Sequence, residues 1–392
     1  MYFNEEFIFP KEGRSNYRIP SVVADKHGNV YAFCNDRKDT DYDGAAEVWL
    51  VGARKKSGQD WEPVRTLDTV PDWAISMGAA VYDEEEDIVM CSGWRIPKQK
   101  DEFASYTEEE LAENEKREKE LGVYAGQFLL YSADGGETWQ DRPLVIEPVE
   151  FVHKTGELFK LGGYCHGSEH GVQLRHGEHK GRLLCPSRTQ AGEYHSWEEL
   201  TEYCYNNTIY SDDHGLTWKA GLPVQIGTGE GTLIENVDGT ITYNSRAFYK
   251  DQKRYLATST DGGESFGDFR TDDFLLEEIN IGCNASFLRV ERSDIKDTSL
   301  LPEDADGITL FANPRSKVRD HMTACYSFDG GKTWVGTKEI YAGPSGYSSL
   351  TFSVPEQKFY LVYERGINHY IDQGIAAACF DAEWLFCTCS QH

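Results

Sequence analysis

Four arginines of this chain stand in short, distinctive sequence contexts. An isolated arginine in an acidic protein is usually a surface ion pair of little energetic weight, but polar groups of one sign in several such contexts point to a shared site. A planar guanidinium group binds a carboxylate through charge-assisted, partly bidentate hydrogen bonds that the point charge of a lysine cannot make. The candidates for such an anion site are Arg18 in YRIP, Arg37 after the next strand-like segment, Arg246 in YNSR and Arg319 in RDHMT.

A tyrosine and three acidic residues stand in further short motifs. A single tyrosine in a strand is commonly a packing residue. Tyr347, however, lies in GPSGYSSL and is followed by the motif YERG, and this combination favours a place in an active site. The three acids are Asp43, Glu230 in GTGEGTLIE and Glu364 in YERG.

A repeated octet marks the elements that must position these residues. Its pattern is S-x-D-x-G-x-(T/S)-(W/F), and it occurs at 132–139, 211–218, 259–266 and 327–334. In such an octet the Asp side chain can accept backbone N–H bonds, the Gly supplies a positive φ, and the aromatic residue packs under the turn, which is typical of a hairpin. Recurrence of one unit at wide, irregular spacing predicts a fold built from repeated sheets.

The segments between the octets mostly resemble short strands bounded by Gly, Asp and Asn turns, which predicts an all-β fold, either a propeller or a sandwich. One segment departs from this pattern. The stretch TEEELAENEKREKEL at 107–121 predicts an exposed, charged helix inserted in a loop, with Thr107 as its N-cap.

Composition excludes several classes of partner. A formal net charge of −27 disfavours nucleic acid and anionic membrane surfaces, and no apolar run is long enough to span a membrane. The first residues lack the basic region of a signal peptide, and the ten scattered cysteines are most simply buried free thiols. These features favour the cytoplasm, or a secreted protein if a signal segment has been removed.

One motif suggests a metal, but its context argues against it. His166, Glu169 and His170 match the pattern H-x-x-E-H, which binds zinc when a helix brings both histidines to one face. Gly167, Ser168 and Gly171 make that helix unfavourable, so no metal site is expected.

Together the octets, YRIP, the arginine before Met-Thr, and Y-S-x-L followed by YERG resemble the exo-α-sialidases (neuraminidases) of the Asp-box propeller type found in bacteria and animals. The resemblance extends from about residue 17 to 366 and includes the stretch HGVQL at 170–174. It implies that 1–392 is a single six-bladed β-propeller domain with its active site at one end. It also implies hydrolysis of terminal α-linked sialic acids from glycans or free sialosides, without a cofactor.

The resemblance assigns a role to each candidate residue. The substrate carries a carboxylate on its anomeric carbon, which Arg18, Arg246 and Arg319 would bind. Glu364 would orient Arg18, Arg37 would lie near the carboxylate and the C4 hydroxyl, and Met77 would line the pocket wall, where the motif Ser-Met-Gly replaces the acid or Asn that many relatives have after Met.

Catalysis would use Tyr347 as the nucleophile, because a neutral phenol avoids the repulsion that a carboxylate would meet beside the substrate's own acid group. A phenol with a pKa of about 10 needs a base, and Glu230 would accept its proton. Asp43 would act as general acid and then as general base. The implied outcome is retention of the anomeric configuration.

Several alternatives stay open at this point. Asp41 competes with Asp43 and Arg315 competes with Arg319, although the spacing to Glu47 favours Asp43 and the Met-Thr continuation favours Arg319. An aromatic group at Tyr194, Trp197, Tyr203 and Tyr205 could be core or a platform for the rest of the glycan. A trans-sialidase and a non-catalytic sialoside-binding propeller are the alternative functions, and the oligomeric state is not predicted.

Overall fold

The computed structural model describes residues 1–43, 45, 47–97, 107–164, 170–194 and 196–387. Strands dominate this part of the chain: β1 (Phe3–Pro10), β2 (Ser15–Ala24), β3 (Val30–Lys38), β4 (Val48–Lys55), β5 (Arg65–Asp68), β6 (Trp73–Asp83), β7 (Ile88–Pro97), β8 (Gly126–Ser132), β9 (Gln140–Pro143), β10 (Ile146–Glu147), β11 (Val149–Val152), β12 (Leu158–Leu161), β13 (Val172–Gln173), β14 (Leu183–Gln190), β15 (Cys204–Ser211), β16 (Trp218–Ala220), β17 (Thr228–Glu235), β18 (Ile241–Ala247), β19 (Lys253–Ser259), β20 (Gly267–Leu276), β21 (Ser286–Glu291), β22 (Gly307–Pro314), β23 (Asp320–Ser327), β24 (Gly336–Ser353), β25 (Lys358–Arg365) and β26 (Gly374–Phe380).

Helices are few and short in the same residues: α1 (Glu108–Leu121), α2 (Leu200–Tyr203) and α3 (Ala382–Phe386), with 3₁₀ turns at Trp197–Glu199, Arg292–Asp294 and Thr298–Leu300. The predicted insertion is confirmed as α1. Thr107 caps it and forms a capping box with Glu110, and Gly122 ends it in the left-handed conformation. None of the described helices is long and apolar enough to cross a membrane.

Antiparallel pairing groups most of the described strands into meanders of four; the exceptions are β10, which pairs in parallel with β16, and the hairpin of β11 and β12. The meanders are β2–β5, β6–β9, β13–β16, β17–β20, β21–β24, and a last one in which β24, β25 and β26 are completed by β1. The long strand β24 serves two neighbouring meanders, and the start of the chain supplies the outer strand of the last one. The all-β prediction is confirmed, and the grouping supports the predicted six blades.

The first and last meanders pack against each other. Val22 of β2 and Ala32 of β3 share a buried cluster with Val362 of β25 and Ala377 of β26. Apolar contact between the two ends of the strand order excludes water from both sheet faces. It also brings the beginning of the chain next to residues more than 300 positions away, and this closure assembles the candidate site.

The four octets, which are called Asp-boxes from here on, each form the turn between the third and fourth strand of a meander. In each box the Asp carboxylate accepts the backbone N–H and the hydroxyl of the Thr or Ser four residues later, with N···O distances of 2.8–3.0 Å. The leading Ser hydroxyl accepts the N–H of the Gly four residues on. The hairpin prediction for the octets is therefore confirmed.

Meander geometry determines which residues can meet. In each meander the start of the first strand, the end of the second and the start of the third lie at one edge. The Asp-boxes lie at the other edge. Candidate residues stand at the former edge: Arg18 opens β2, Arg37 closes β3, Arg246 closes β18, Glu364 closes β25 and Arg319 immediately precedes β23.

Candidate active site

Glu364 joins two parts of the site from beneath. Its side chain is fully buried near the end of β25. One carboxylate oxygen accepts hydrogen bonds from Nε of Arg18 at 2.6 Å and from the backbone N–H of Ile19 at 3.0 Å. The other oxygen accepts the backbone N–H of Tyr347 at 3.0 Å. One carboxylate therefore holds the YRIP arginine and the tyrosine in a common frame.

A β-bulge directs Arg18 towards the site. The pairing of β2 with β3 shifts register between Arg18 and Ser21, and Ile19 adopts a positive φ of 61°. Such a conformation costs a β-branched residue about 1–3 kcal/mol and is typical of functional sites, and a bulge changes the direction of the side chains in its strand. The hydrogen bond from Ile19 to Glu364 stabilises this bulge.

The phenolic oxygen of Tyr347 lies between the carboxylate of Glu230 and the guanidinium group of Arg246. Its hydroxyl donates to Oε1 of Glu230 at 2.6 Å, and Nη1 of Arg246 donates to the phenolic oxygen at 2.6 Å. Arg246 also forms an ion pair with Oε2 of Glu230. All three side chains are buried, so these contacts are only weakly screened by water.

Three arginines surround this phenol. The guanidinium carbons of Arg18, Arg246 and Arg319 lie 5.9, 5.8 and 5.4 Å from the centre of the Tyr347 ring. Arg18 and Arg246 have carboxylate partners, whereas Arg319 has none among the described residues and donates only to the backbone oxygen of Gly282 at 3.2 Å. A cationic cluster with one unpaired member is suited to an anionic ligand.

Burial governs the protonation of the phenol. It raises the pKa of Tyr347 well above the ordinary value of 10, although the charge on Arg246 acts in the opposite direction. The phenol is therefore neutral at physiological pH, and it can become a nucleophile only if its proton moves as it reacts. The oxygen of Glu230 at 2.6 Å is placed to accept that proton.

Arg37 connects the arginine cluster with the loop between β3 and β4. Its Nη1 lies 2.7 Å from Oδ1 of Asp43 and 2.8 Å from the backbone oxygen of Asp41, which also accepts Nη1 of Arg18 at 3.3 Å. Burial and the neighbouring Arg18 lower the pKa of Arg37. Asp43 is 78% exposed, so its carboxylate lies at the mouth of the site, whereas Asp41 contacts the arginines through its main chain.

The other candidates are placed as follows. Met77 is fully buried in an apolar cluster that also includes Ile19 and Tyr347, and its direct contact with a substrate stays a prediction. Arg315, the alternative to Arg319, donates to the backbone oxygen of Phe274 at 3.0 Å and stacks on that ring. The structure thus brings Arg319 and not Arg315 to the phenol.

The aromatic group near residue 200 divides. Tyr203 stacks on the buried His153 and Tyr205 packs against the same histidine and Phe151, which favours the core interpretation for this pair. Tyr194 instead lies 3.4 Å from Nη2 of Arg188.

Tyr370 belongs to the site but was missed by the sequence reasoning. Its ring centre lies 5.5 Å from the guanidinium carbon of Arg18 and 4.9 Å from that of Arg319. It stands in the loop after β25, where Asp372 accepts three consecutive backbone N–H groups beginning at Ile367. No motif surrounds Tyr370, and only the proximity of YERG could have suggested it.

The comparisons with known proteins agree with this geometry. A family model of BNR repeat-like domains matches residues 111–355. The sialidase of Micromonospora viridifaciens is 28% identical over 97% of this chain and 54% of its own length, so the chain spans about half of that relative. An exo-α-sialidase of Aspergillus fumigatus is 27% identical over 86% of the chain and 76% of the relative. The chain belongs to the family of BNR repeat-like domains, and curated relatives of this chain are named sialidases.

Solved structures show the same sialidase fold. The NanB sialidase of Streptococcus pneumoniae superposes with a TM-score of 0.70 at 13% identity, over 97% of this chain and 71% of that chain. The intramolecular trans-sialidase of Ruminococcus gnavus superposes with a TM-score of 0.69 at 16% identity, over 95% and 96% of the two chains.

The H-x-x-E-H motif is only partly described. His166 and Glu169 lie outside the described residues, and the described part of the chain contains no group of three or more His, Cys, Asp or Glu side chains that could hold a metal. His170 is buried beside Ala80, and its Nδ1 has no hydrogen-bond partner among the described residues.

Burial of His170 predicts an acid-sensitive contribution to stability. Burial lowers its pKa to about 4, whereas the unfolded chain protonates it near 6.5. The unfolded state therefore binds the extra proton, and the free energy of unfolding should fall by up to about 3 kcal/mol as the pH drops from 6.5 to 4. Chemical denaturation at pH 7.5 and 4.5 should show a smaller loss in His170→Gln than in the unsubstituted protein.

His214 provides a control of opposite sign. Its hydrogen bond to Asp83 raises the pKa of the imidazole, so the folded state gains protons there and is stabilised as the pH falls. His214→Gln should therefore lose more stability on acidification than the unsubstituted protein. Equal pH dependence in His170→Gln and the parent would contradict the assignment of His170.

Proposed function

We propose that this protein is a retaining exo-α-sialidase that hydrolyses terminal α-linked sialic acids, with Tyr347 as the nucleophile. The contact of 2.6 Å between the Tyr347 phenol and Glu230, enclosed by three arginines, is the observation that carries the proposal. Similarity to curated sialidases supports sialidase activity, and the site chemistry supports the finer assignment.

The arginines would bind the carboxylate on the anomeric carbon of the sugar. Arg319 has unused donors, and Arg18 and Arg246 each retain donors beyond those that contact their carboxylate partners. A carboxylate bound by these groups would lie close to Tyr347, because all three guanidinium carbons lie within 5.9 Å of the centre of its ring. The carboxylate would thus place the adjacent anomeric carbon next to the phenolic oxygen.

The first chemical step would form a bond between the phenolic oxygen and the anomeric carbon. As this bond forms, Glu230 accepts the phenolic proton, and the bond from the anomeric carbon to the glycosidic oxygen breaks. Arg246 contacts both the phenolic oxygen and Glu230, so it can stabilise negative charge on either atom during the transfer. A neutral nucleophile also avoids repulsion from the substrate carboxylate.

Asp43 would donate a proton to the departing oxygen. Its exposed position at the mouth of the site suits a group that meets both the leaving alcohol and water. In the second step Asp43 would take a proton from water and the water oxygen would attack the anomeric carbon. The bond from that carbon to the phenolic oxygen would break, and Glu230 would return its proton to the phenolic oxygen. Two displacements at one carbon leave the anomeric configuration unchanged.

Two measurements test this function. The purified protein should release fluorophore from an aryl α-sialoside of at least one of the N-acetyl, N-glycolyl and deaminated types, and proton NMR should show the α-anomer as the first free sugar. Initial appearance of the β-anomer would refute retention. A 2,7-anhydro sugar as the sole product would indicate intramolecular transfer in place of hydrolysis.

Asp43→Ala and Asp41→Ala form a matched pair for the general acid. Loss of the acid should reduce turnover of a natural disaccharide more than that of an aryl sialoside, since an aryl oxide leaves without full protonation. We expect Asp43→Ala to lower turnover of the disaccharide by about 10²-fold or more. Asp41→Ala should have a small effect, because the main-chain contacts of Asp41 persist. The reverse order would assign the role to Asp41.

A further inference from the structure

One irregular segment holds two of the three site arginines from behind. This segment, Glu277–Cys283, has neither helix nor strand. The backbone oxygen of Ile281 accepts Nε of Arg246 at 2.8 Å, and that of Gly282 accepts Nη2 of Arg319 at 3.2 Å. Consecutive carbonyl groups thus contact two neighbouring cations that would otherwise repel each other.

A buried ion pair fixes the end of this segment. Arg254 is fully buried and contacts Oε2 of Glu277, which is itself 2% exposed. The backbone N–H of Cys283 donates to Oε1 of Glu277 at 2.8 Å, and its backbone oxygen accepts Nη1 of Arg254 at 3.1 Å. The pair therefore holds Cys283 through both its main-chain N–H and its carbonyl.

The ion pair is anchored to the strand that carries a site arginine. Nε of Arg254 donates to the side-chain oxygen of Asn244 at 2.7 Å, and Asn244 lies two residues before Arg246 on β18. A path of hydrogen bonds therefore leads from β18 through the ion pair and the segment back to Arg246. Because the members of this path are mostly buried, a shift at one of them reaches the next.

Glycine at position 282 allows the segment to pass between the ion pair and the site. It has a φ of +69°, and a Cβ added there would lie 3.1 Å from Cγ of Arg246 and 3.1 Å from Cδ of Glu277. The backbone of Gly282 therefore fills the space between Glu277 and Arg246. A displacement of Glu277 is consequently passed to Arg246 through the backbone of Gly282, which lies between them.

A contribution to folding stability does not by itself explain why Arg254 and Glu277 form a buried ion pair. Desolvation of two buried charges offsets much of their attraction, and well-packed apolar residues often replace a buried ion pair without loss of stability. Apolar residues, however, cannot form hydrogen bonds with both the backbone N–H and the backbone oxygen of Cys283.

We propose that Arg254 and Glu277 are positioning residues for the substrate carboxylate, acting on Arg246 and Arg319 through the backbone oxygens of Ile281 and Gly282. The inference rests on the proposed function, since the carboxylate is that of the sialoside. Neither residue touches the substrate, and their effect is on where the two guanidinium groups stand.

The test replaces the pair with apolar residues of similar size in Arg254→Met/Glu277→Leu. We expect some loss of stability, because the main-chain groups of Cys283 lose their partners. We also expect an increase of about 10- to 100-fold in KM for an aryl sialoside and in the inhibition constant of free sialic acid, because misplacement by about 1 Å is that costly. A merely structural role would lower the active fraction and leave both constants unchanged. Gly282→Ala keeps both side chains of the pair but inserts a Cβ between Glu277 and Arg246, so it should raise the same constants if the double variant does not fold.

Arg182→Met is the matched control. Arg182 is also buried and is paired with Asp212, whose side chain is exposed, but it stands at the Asp-box edge of its meander. This variant should keep the parental KM and inhibition constant. A crystal structure of the double variant, or of Gly282→Ala, decides the point independently of activity.

Displaced guanidinium groups of Arg246 and Arg319 in that structure would support the proposal. If both contacts to the backbone oxygens of Ile281 and Gly282 persist, the proposal is wrong, whether or not the protein cleaves sialosides. If the parental protein neither cleaves nor binds sialosides while the arginines move in the variant, the proposed function fails and the positioning role stands.

Discussion

Tyr347→Phe is expected to lower kcat for an aryl α-sialoside by about 10³-fold or more, because it removes the atom that attacks the anomeric carbon. The ring, its packing and the arginines around it would remain, so KM should change by much less than kcat. Steady-state kinetics with a fluorogenic sialoside measures both constants. A variant that keeps more than a tenth of parental kcat would exclude Tyr347 as the nucleophile.

Tyr31→Phe is the matched control for this substitution. Tyr31 is another buried phenol bonded to a carboxylate, with its hydroxyl 2.8 Å from Oδ2 of Asp25, and burial raises its pKa as it does for Tyr347. It lies at the other edge of its meander and contacts none of the site arginines. Its loss should cost about 1 kcal/mol of stability from one hydrogen bond and leave kcat unchanged.

Comparison of the two variants separates nucleophilic chemistry from hydrogen bonding. Both phenols are neutral and both donate to a carboxylate, but only that of Tyr347 also accepts a hydrogen bond from a guanidinium, Nη1 of Arg246, at 2.6 Å. This second contact stabilises a phenolate as it forms. Equal losses of activity in the two variants would mean that structural damage explains both.

Much of the site could be predicted because its residues belong to distinctive local motifs. Glu364 and Arg18 are 346 positions apart, yet YERG and YRIP each mark a strand terminus, and meander closure then brings them within 2.6 Å. The helix at 107–121 was predictable because a capping box is a purely local signal.

The sequence could not reveal contacts that depend on the main chain. The oxygens of Ile281 and Gly282 hold two arginines, but a backbone carbonyl is present in every residue and leaves no pattern of side-chain types. The positive φ of Ile19 was equally hidden, since a β-branched residue normally avoids it and long-range contact with Glu364 stabilises it here. The loop carrying Asp41 and Asp43 placed two acids within three positions, so spacing alone could not separate a main-chain contact from a side-chain one.

Arg319 illustrates a conflict between function and stability. It has no carboxylate partner among the described residues, and the positive charge of Arg246 repels the positive charge of Arg319. Desolvation and repulsion of like charges make such an arginine unfavourable in the absence of an anion. We therefore expect it to contribute to substrate binding at the expense of the free energy of unfolding.

Arg319→Met should consequently reduce kcat/KM for a sialoside by roughly 10- to 100-fold, the loss of one charge-assisted contact, while leaving stability unchanged or raising it by about 1 kcal/mol. Arg319→Lys should fall between Met and the parent in kcat/KM, because it keeps the charge but loses the planar fork. Saturating sialic acid should raise the melting temperature of the parent more than that of Arg319→Met, since the ligand stabilises only the state that binds it.

Arg315→Met should show the opposite combination. Arg315 stacks on Phe274 and donates to its backbone oxygen, so its loss should lower stability and spare kcat/KM. The pair therefore tests both the arginine assignment and its cause. If Arg319→Met lost stability in proportion to its loss of activity, Arg319 would be an ordinary structural residue, and the reason for placing an unpaired cation beside Tyr347 would disappear with it.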